Sequence, residues 1–115
     1  MANTSVIRTA GVTTAISVTA SSTAAVLIDD NTNDQVNYAS FLNVGSTSVA
    51  VKVGDANVAA AVLPVSGSTT GDFILPPLMT LPIILAVPTT PFYVRMIGSG
   101  AGPSIVYVTP AADQS

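Results

Sequence analysis

The strongest constraint on this chain is its punctuation. Eight prolines and eight glycines interrupt 115 residues at short intervals. Between them, Val, Ile and Thr recur with a period of two. Proline lacks a backbone donor and clashes with the preceding turn, so it ends or kinks a helix. Branching at Cβ stiffens χ1 and suits a pleated surface better than a helical one. The straight-chain helix formers are scarce, with no Glu, one Lys, two Arg and two Gln. These features predict an all-β chain with many turns.

Individual segments carry the alternation. In VTTAISVT (12–19), Val12, Ile16 and Val18 share one face, with a break at Thr14. AAVLI (24–28) reads as a short apolar strand. YASFLNV (38–44) has apolar residues on both faces, which suits a sandwich interior or an interface. SVAVKV (48–53) puts Val49, Val51 and Val53 inward and Ser48, Ala50 and Lys52 outward. The short GST turn between these two runs predicts a hairpin. FYVRMI (92–97) places Phe92, Val94 and Met96 on one side. With SIVYVTP (104–110) across the GSGAGP turn, it predicts a second hairpin. NVAAAVL (57–63) reads as a strand, although its alanines also allow a helical turn. DFIL (72–75) reads as a short strand.

At 11.5 kDa there is room for one core. The expected fold is a single small antiparallel β-sandwich, jelly-roll-like, of about eight strands. Its expected parts are an extended N-terminal arm (1–11), the sandwich (12–110) and a frayed tail (111–115). The arm lacks a basic region followed by an apolar stretch and cleavage site, so no signal peptide is expected.

From Phe73 to Val94 the chain carries no charge for 22 residues. That length matches a membrane span, but Pro76, Pro77, Pro82, Pro88 and Pro91 forbid the helix. The better reading is an edge strand, LPIILAV (81–87), between stiff extended loops.

Charge is sparse, at 8% of residues against roughly 25% in ordinary soluble domains. Three cations face six aspartates. Such a balance does not neutralise a run of phosphates, so no nucleic-acid partner is expected. With no Cys, His or Glu, zinc sites of the usual kind, haem, iron–sulfur clusters, thiol chemistry and the commonest general bases drop out. No enzyme activity and no cofactor are expected. A wet face of Ser, Thr, Asn and Ala desolvates cheaply, because no charge is stripped of water. The inference is that much of the surface is covered by other protein copies; a monomer with a Ser/Thr coat is the plain alternative.

Several local motifs admit a chemical reading beside a structural one. Asp29 to Asp34 begins like a calcium loop, D-x-N-x-N. It then fails at the glycine position, Asp34, and at the bidentate position, Ser40. A solvated turn with Asx hydrogen bonds explains it better. Lys52 is the one lysine available to a Ser-Lys pair and reads as a solubilising charge on a strand. Asp55 and Asp72 sit in Gly-Asp turns, which accounts for them without glycoside chemistry. The SGSTTG and GSGAGP loops lack the phosphate-loop Lys and its following helix. Arg95 reads either as an exposed side chain whose stem covers apolar surface or as one half of an ion pair across a subunit contact, with Asp72 as possible partner. Tyr38, Phe41, Phe73, Phe92, Tyr93 and Tyr107 are spread over several strands rather than gathered into a sugar-binding platform.

Three stretches, FLNVGSTSVAVKVGD, GDFILPP and PFYVRMIGSGAGPSIVYVTP, resemble a pattern common in small virion proteins of tailed bacteriophages. The likeness spans about residues 41–110. It implies a capsid decoration (cement) protein, a compact β-domain, often a homotrimer, that binds the major capsid protein on the outer shell. It further implies assembly in the host cytoplasm, with no membrane partner. The alternatives are a tail, adaptor or fibre-associated subunit, or a carbohydrate-binding module. The expected contacts are Thr4, Val6, Ile7 and Arg8 in the arm, Leu75, Pro76, Pro77, Leu78, Met79, Leu81 and Pro82 in the proline-rich stretch, and Arg95.

Overall fold

The computed structural model describes residues 7–9, 11–28, 38–87, 92–100 and 103–113. Nine strands form among them: β1 (Ile7–Thr9), β2 (Thr14–Val18), β3 (Val26–Ile28), β4 (Tyr38–Asn43), β5 (Val49–Gly54), β6 (Phe73–Leu75), β7 (Ile83–Ala86), β8 (Phe92–Gly98) and β9 (Ser104–Asp113). All pairings are antiparallel.

The strands make two sheets. In sheet A the order is β1-β9-β4-β7, with β2 also on β9. β1 pairs with Ala111–Asp113 and β2 with Ser104–Val108, so the two lie end to end along one side of β9. They act as one interrupted edge strand. Sheet B runs β3-β8-β5-β6.

The pairing is nested. β1 and β2 meet β9, β3 meets β8, β4 meets β7 and β5 meets β6. Successive nested pairs alternate between the sheets, which is the jelly-roll arrangement. The all-β, antiparallel, jelly-roll-like expectation therefore holds.

Period-two burial fills the space between the sheets. Phe92, Val94 and Met96 of β8, Val106 and Val108 of β9, and Phe41 of β4 are fully buried, with Ile28, Val18, Val49 and Leu75 beside them. At roughly 25 cal/mol per Å² of apolar surface buried, this layer is the main stabilising term.

Both predicted hairpins are corrected. β4 lies in sheet A and β5 in sheet B; β8 lies in sheet B and β9 in sheet A. A short glycine-containing link can fold back within one sheet or arch across the ~10 Å between two sheets, and alternation is the same in both cases.

The strand expected at 57–63 is absent. The long β5–β6 connection instead folds over the outer face of sheet B. Ala61 is buried there, and its N–H donates to Ser22 Oγ at 3.1 Å. Ala50, which alternation had placed outward, is buried as well.

Both chain-end boundaries also shift. Part of the expected arm, Ile7–Thr9, is paired as β1, and its partner β9 continues to Asp113, through most of the expected tail. Each segment supplies the backbone hydrogen bonds that the other lacks.

Candidate functional site

Residues 73–86 of the uncharged proline-rich run lie along one edge of the sandwich. β6 is the edge of sheet B and β7 the edge of sheet A, and residues 76–82 bridge them. The edge strand expected within 81–87 is thus present as β7. Prolines before β7 and after β6 limit where further strands can pair.

The connecting loop is tied down by one buried side chain. Asn43 is fully buried at the end of β4. Its Nδ2 donates to Thr47 O at 2.9 Å and Pro76 O at 3.1 Å, with a longer contact to Leu75 O at 3.4 Å. Its Oδ1 accepts from Gly45 N at 3.0 Å. Its backbone carbonyl accepts from Met79 N at 2.9 Å, while Leu78 N donates to Gly45 O at 2.9 Å. One amide therefore joins the β4–β5 arch to the loop leaving β6. Alternation along β4 puts Asn43 in phase with buried Ala39 and Phe41. A polar residue at an inward position was the available signal for this hub, and the expected contact set omits it.

Apart from Arg95, the expected contact residues divide into four groups. Pro76, Pro77, Leu78, Leu81 and Pro82 are exposed, with Leu78 and Leu81 at 68% and 77%. Leu75 is fully buried, and Met79 packs against the core with its sulfur accepting from Asn43 N. Leu75 is corrected from a contact residue to a packing residue, because β6 pairs with β5 and turns it inward, whereas Met79 is only half-buried. Ile7 and Arg8 lie in β1, opposite Asp113 and Ala112. Thr4, Val6 and the Asp29–Asp34 loop lie outside the described residues. Exposed Phe73 and Ile84 belong to the same side. Ile84 was detectable as the outward residue of an edge strand.

Among the charged residues whose side chains are described, charge is segregated. The described charged side chains, Lys52, Asp55, Asp72 and Arg95, all lie on sheet B or the segment covering it. Asp72 lies 3.7 Å from Lys52 Nζ and accepts from Val62 N at 2.7 Å. Asp55 accepts from Asn57 N at 2.9 Å, as its turn position predicts. Arg95 donates from Nε to Thr23 O at 2.8 Å and from Nη1 to Val58 O at 3.3 Å. Its guanidinium thus holds the covering segment onto sheet B, while Asp72 pairs with Lys52.

By contrast, the outer face of sheet A presents Ala15, Ser17, Tyr107, Ser40, Leu42 and Ile84, with no charged side chain among those described. Phe41 and Phe92 are core residues, whereas Tyr107 and Phe73 are exposed. Among the described residues there is no enclosed pocket, no cluster of three acidic or metal-ligating side chains, and no helix long and apolar enough to cross a membrane.

No protein-family model, no curated protein and no solved structure matches the chain.

Proposed function

We propose that this chain is a structural protein of a tailed-phage virion, most simply a capsid decoration protein that associates with further copies of itself and with the outer shell. The observation that carries the reading is the uncharged side at residues 73–86, with Phe73, Leu78, Leu81 and Ile84 exposed. Exposed apolar side chains gathered along an uncharged edge are the kind of surface that interaction sites use. Covering it removes apolar area from water without stripping hydration from a charge. The sequence resemblance to phage virion proteins supports the same reading, and double-sheet jelly rolls are a frequent architecture of viral capsid domains.

The mechanism is linkage. A protein that binds the assembled shell and not its separated subunits stabilises the shell. Repetition over a symmetric lattice multiplies a modest contact.

Quantitative gel staining of purified virions, with antibody labelling, tests the reading. Many copies per particle on the head are expected. A few copies at the tail would support the tail or adaptor role instead. Absence from the particles would refute both. Removal of residues 1–11 is a poor test of arm binding, because it also removes β1 from the edge of β9.

A further inference from the structure

Among the described residues, β7 has a strand partner on one side only. It pairs with β4 in the register Phe41↔Ile83, Ser40↔Ile84, Ala39↔Leu85 and Tyr38↔Ala86. In an antiparallel ladder, alternate residues turn their N–H and C=O groups to opposite sides. Half of the polar backbone groups of β7 therefore face away from β4.

Natural edge strands are blunted by Lys, inward charges, bulges or proline. β7 reads Ile-Ile-Leu-Ala and has none of these within it; Pro82 just before it confines backbone pairing to the strand itself. Its faces are also well separated. Ile84 is 41% exposed, while Ile83 and Leu85 pack against the core.

The edge continues beyond the strand. Leu78 N and Met79 N bond to Gly45 O and Asn43 O, so the loop before β7 follows the line of β4. Leu78 has φ of 54°, a left-handed conformation that costs a leucine roughly 1–2 kcal/mol. An exposed apolar side chain held in such a conformation is a candidate for a functional constraint.

We propose that this edge, from Leu78 to Ala86, is the docking site for a second copy of the chain, with β7 pairing antiparallel to the β7 of its partner about a twofold axis. The proposal builds on the self-association inferred above and adds its surface and symmetry. Self-pairing satisfies the two requirements visible here. It supplies donors and acceptors to the free backbone groups, and it places an uncharged surface against an identical one. A register such as Ile84↔Ile84 keeps outward residues with outward residues, so both cores stay intact. Four paired residues fall short of the ~800 Å² per partner that stable interfaces bury. Leu78 and Leu81 extend the contact along the same edge. A twofold interface of this kind closes at two copies, which separates it from the trimer implied by the family resemblance.

Sedimentation velocity and native mass spectrometry of the purified chain, from micromolar to millimolar, test the proposal. A dimer is expected. Ile84→Lys weakens it roughly tenfold or more, since each copy brings a charge to the paired edge. Leu81→Lys, a change outside every strand, also weakens it and remains informative if Ile84→Lys unfolds. Val12→Lys, next to the opposite edge strand and 63% exposed in the wild type, leaves it unchanged. A monomer at all concentrations, a trimer, or a dimer that Ile84→Lys and Leu81→Lys leave intact overturns the proposal. Virion copy number is measured separately. A β7 dimer missing from virions refutes the particle reading alone, and a monomer abundant on virions refutes the dimer alone.

Discussion

Lys52 and Arg95 face each other across β5 and β8, two like charges at directly opposed positions of sheet B. Such a pair is unfavourable unless each charge has other partners. Here Asp72 neutralises Lys52, and two backbone carbonyls receive the Arg95 guanidinium. The consequence is a charged clasp that holds the 55–72 segment on sheet B.

Asp72→Ala opens that clasp at both the Lys52 and Val62 contacts. The expected loss is about 0.5–1 kcal/mol in urea unfolding, the net worth of one hydrogen bond, because Val62 is exposed and water can replace its acceptor. The ion pair adds little, because Lys52 is partly exposed and screened. Asp72→Asn keeps an acceptor and loses less, and its deficit narrows further as salt is added. Limited proteolysis should cut Asp72→Ala within 62–71 faster than wild type. Equal cleavage rates would show that Asp72 does not hold the segment.

Asn43 is the costliest polar position to change. Asn43→Ala leaves the carbonyls of Thr47 and Pro76 and the N–H of Gly45 without their side-chain partner, at about 3 kcal/mol in equilibrium unfolding. Asn43→Asp places a buried carboxylate against those carbonyls. Burial and repulsion raise its folded pKa above the unfolded value of about 3.9. The folded state then binds the extra proton, so the deficit is greatest at neutral pH and shrinks as pH falls. A deficit independent of pH would contradict this geometry.

Two glycines differ in kind. A Cβ on Gly45 would collide with the backbone of Ser104, whereas Gly67 has open space around it and φ of 84°. Gly45→Ala should cost about 2–3 kcal/mol through forced displacement of β9. Gly67→Ala should cost only the ~1 kcal/mol of a left-handed alanine. Thermal melts of the two variants side by side give the comparison, and equal losses would contradict the close approach at Gly45.

Leu78→Gly separates stability from association. Glycine adopts the positive φ without steric penalty but loses more chain entropy on folding, so a net gain of about 0.5 kcal/mol is expected in unfolding experiments. The same change removes an exposed apolar side chain from the proposed contact and should weaken the dimer. A variant with unchanged association would assign Leu78 no part in docking.

The chain's β class, its single core and the inward residues of β8 were legible in the residues, because period two reports which side chains share a face. So was the edge position of β7, which the surrounding prolines dictate. Sheet membership was not. The GST and GSGAGP links read as hairpins, yet each crosses between sheets, since local alternation carries no record of which distant strand completes a ladder. Leu75 and Ala50 show the same limit. One is turned into the core by pairing with β5, and the other is buried although alternation points it outward. Asn43 was visible as a polar residue in an inward phase, but its partners, as far away in sequence as Pro76, depended on the chain's path. Side-chain chemistry and short-range sterics therefore determined faces and edges. The nested pairing, the covering of sheet B and the open side at β7 were decided by contacts between residues remote in the chain, whose closure is governed by the packing of the whole sandwich.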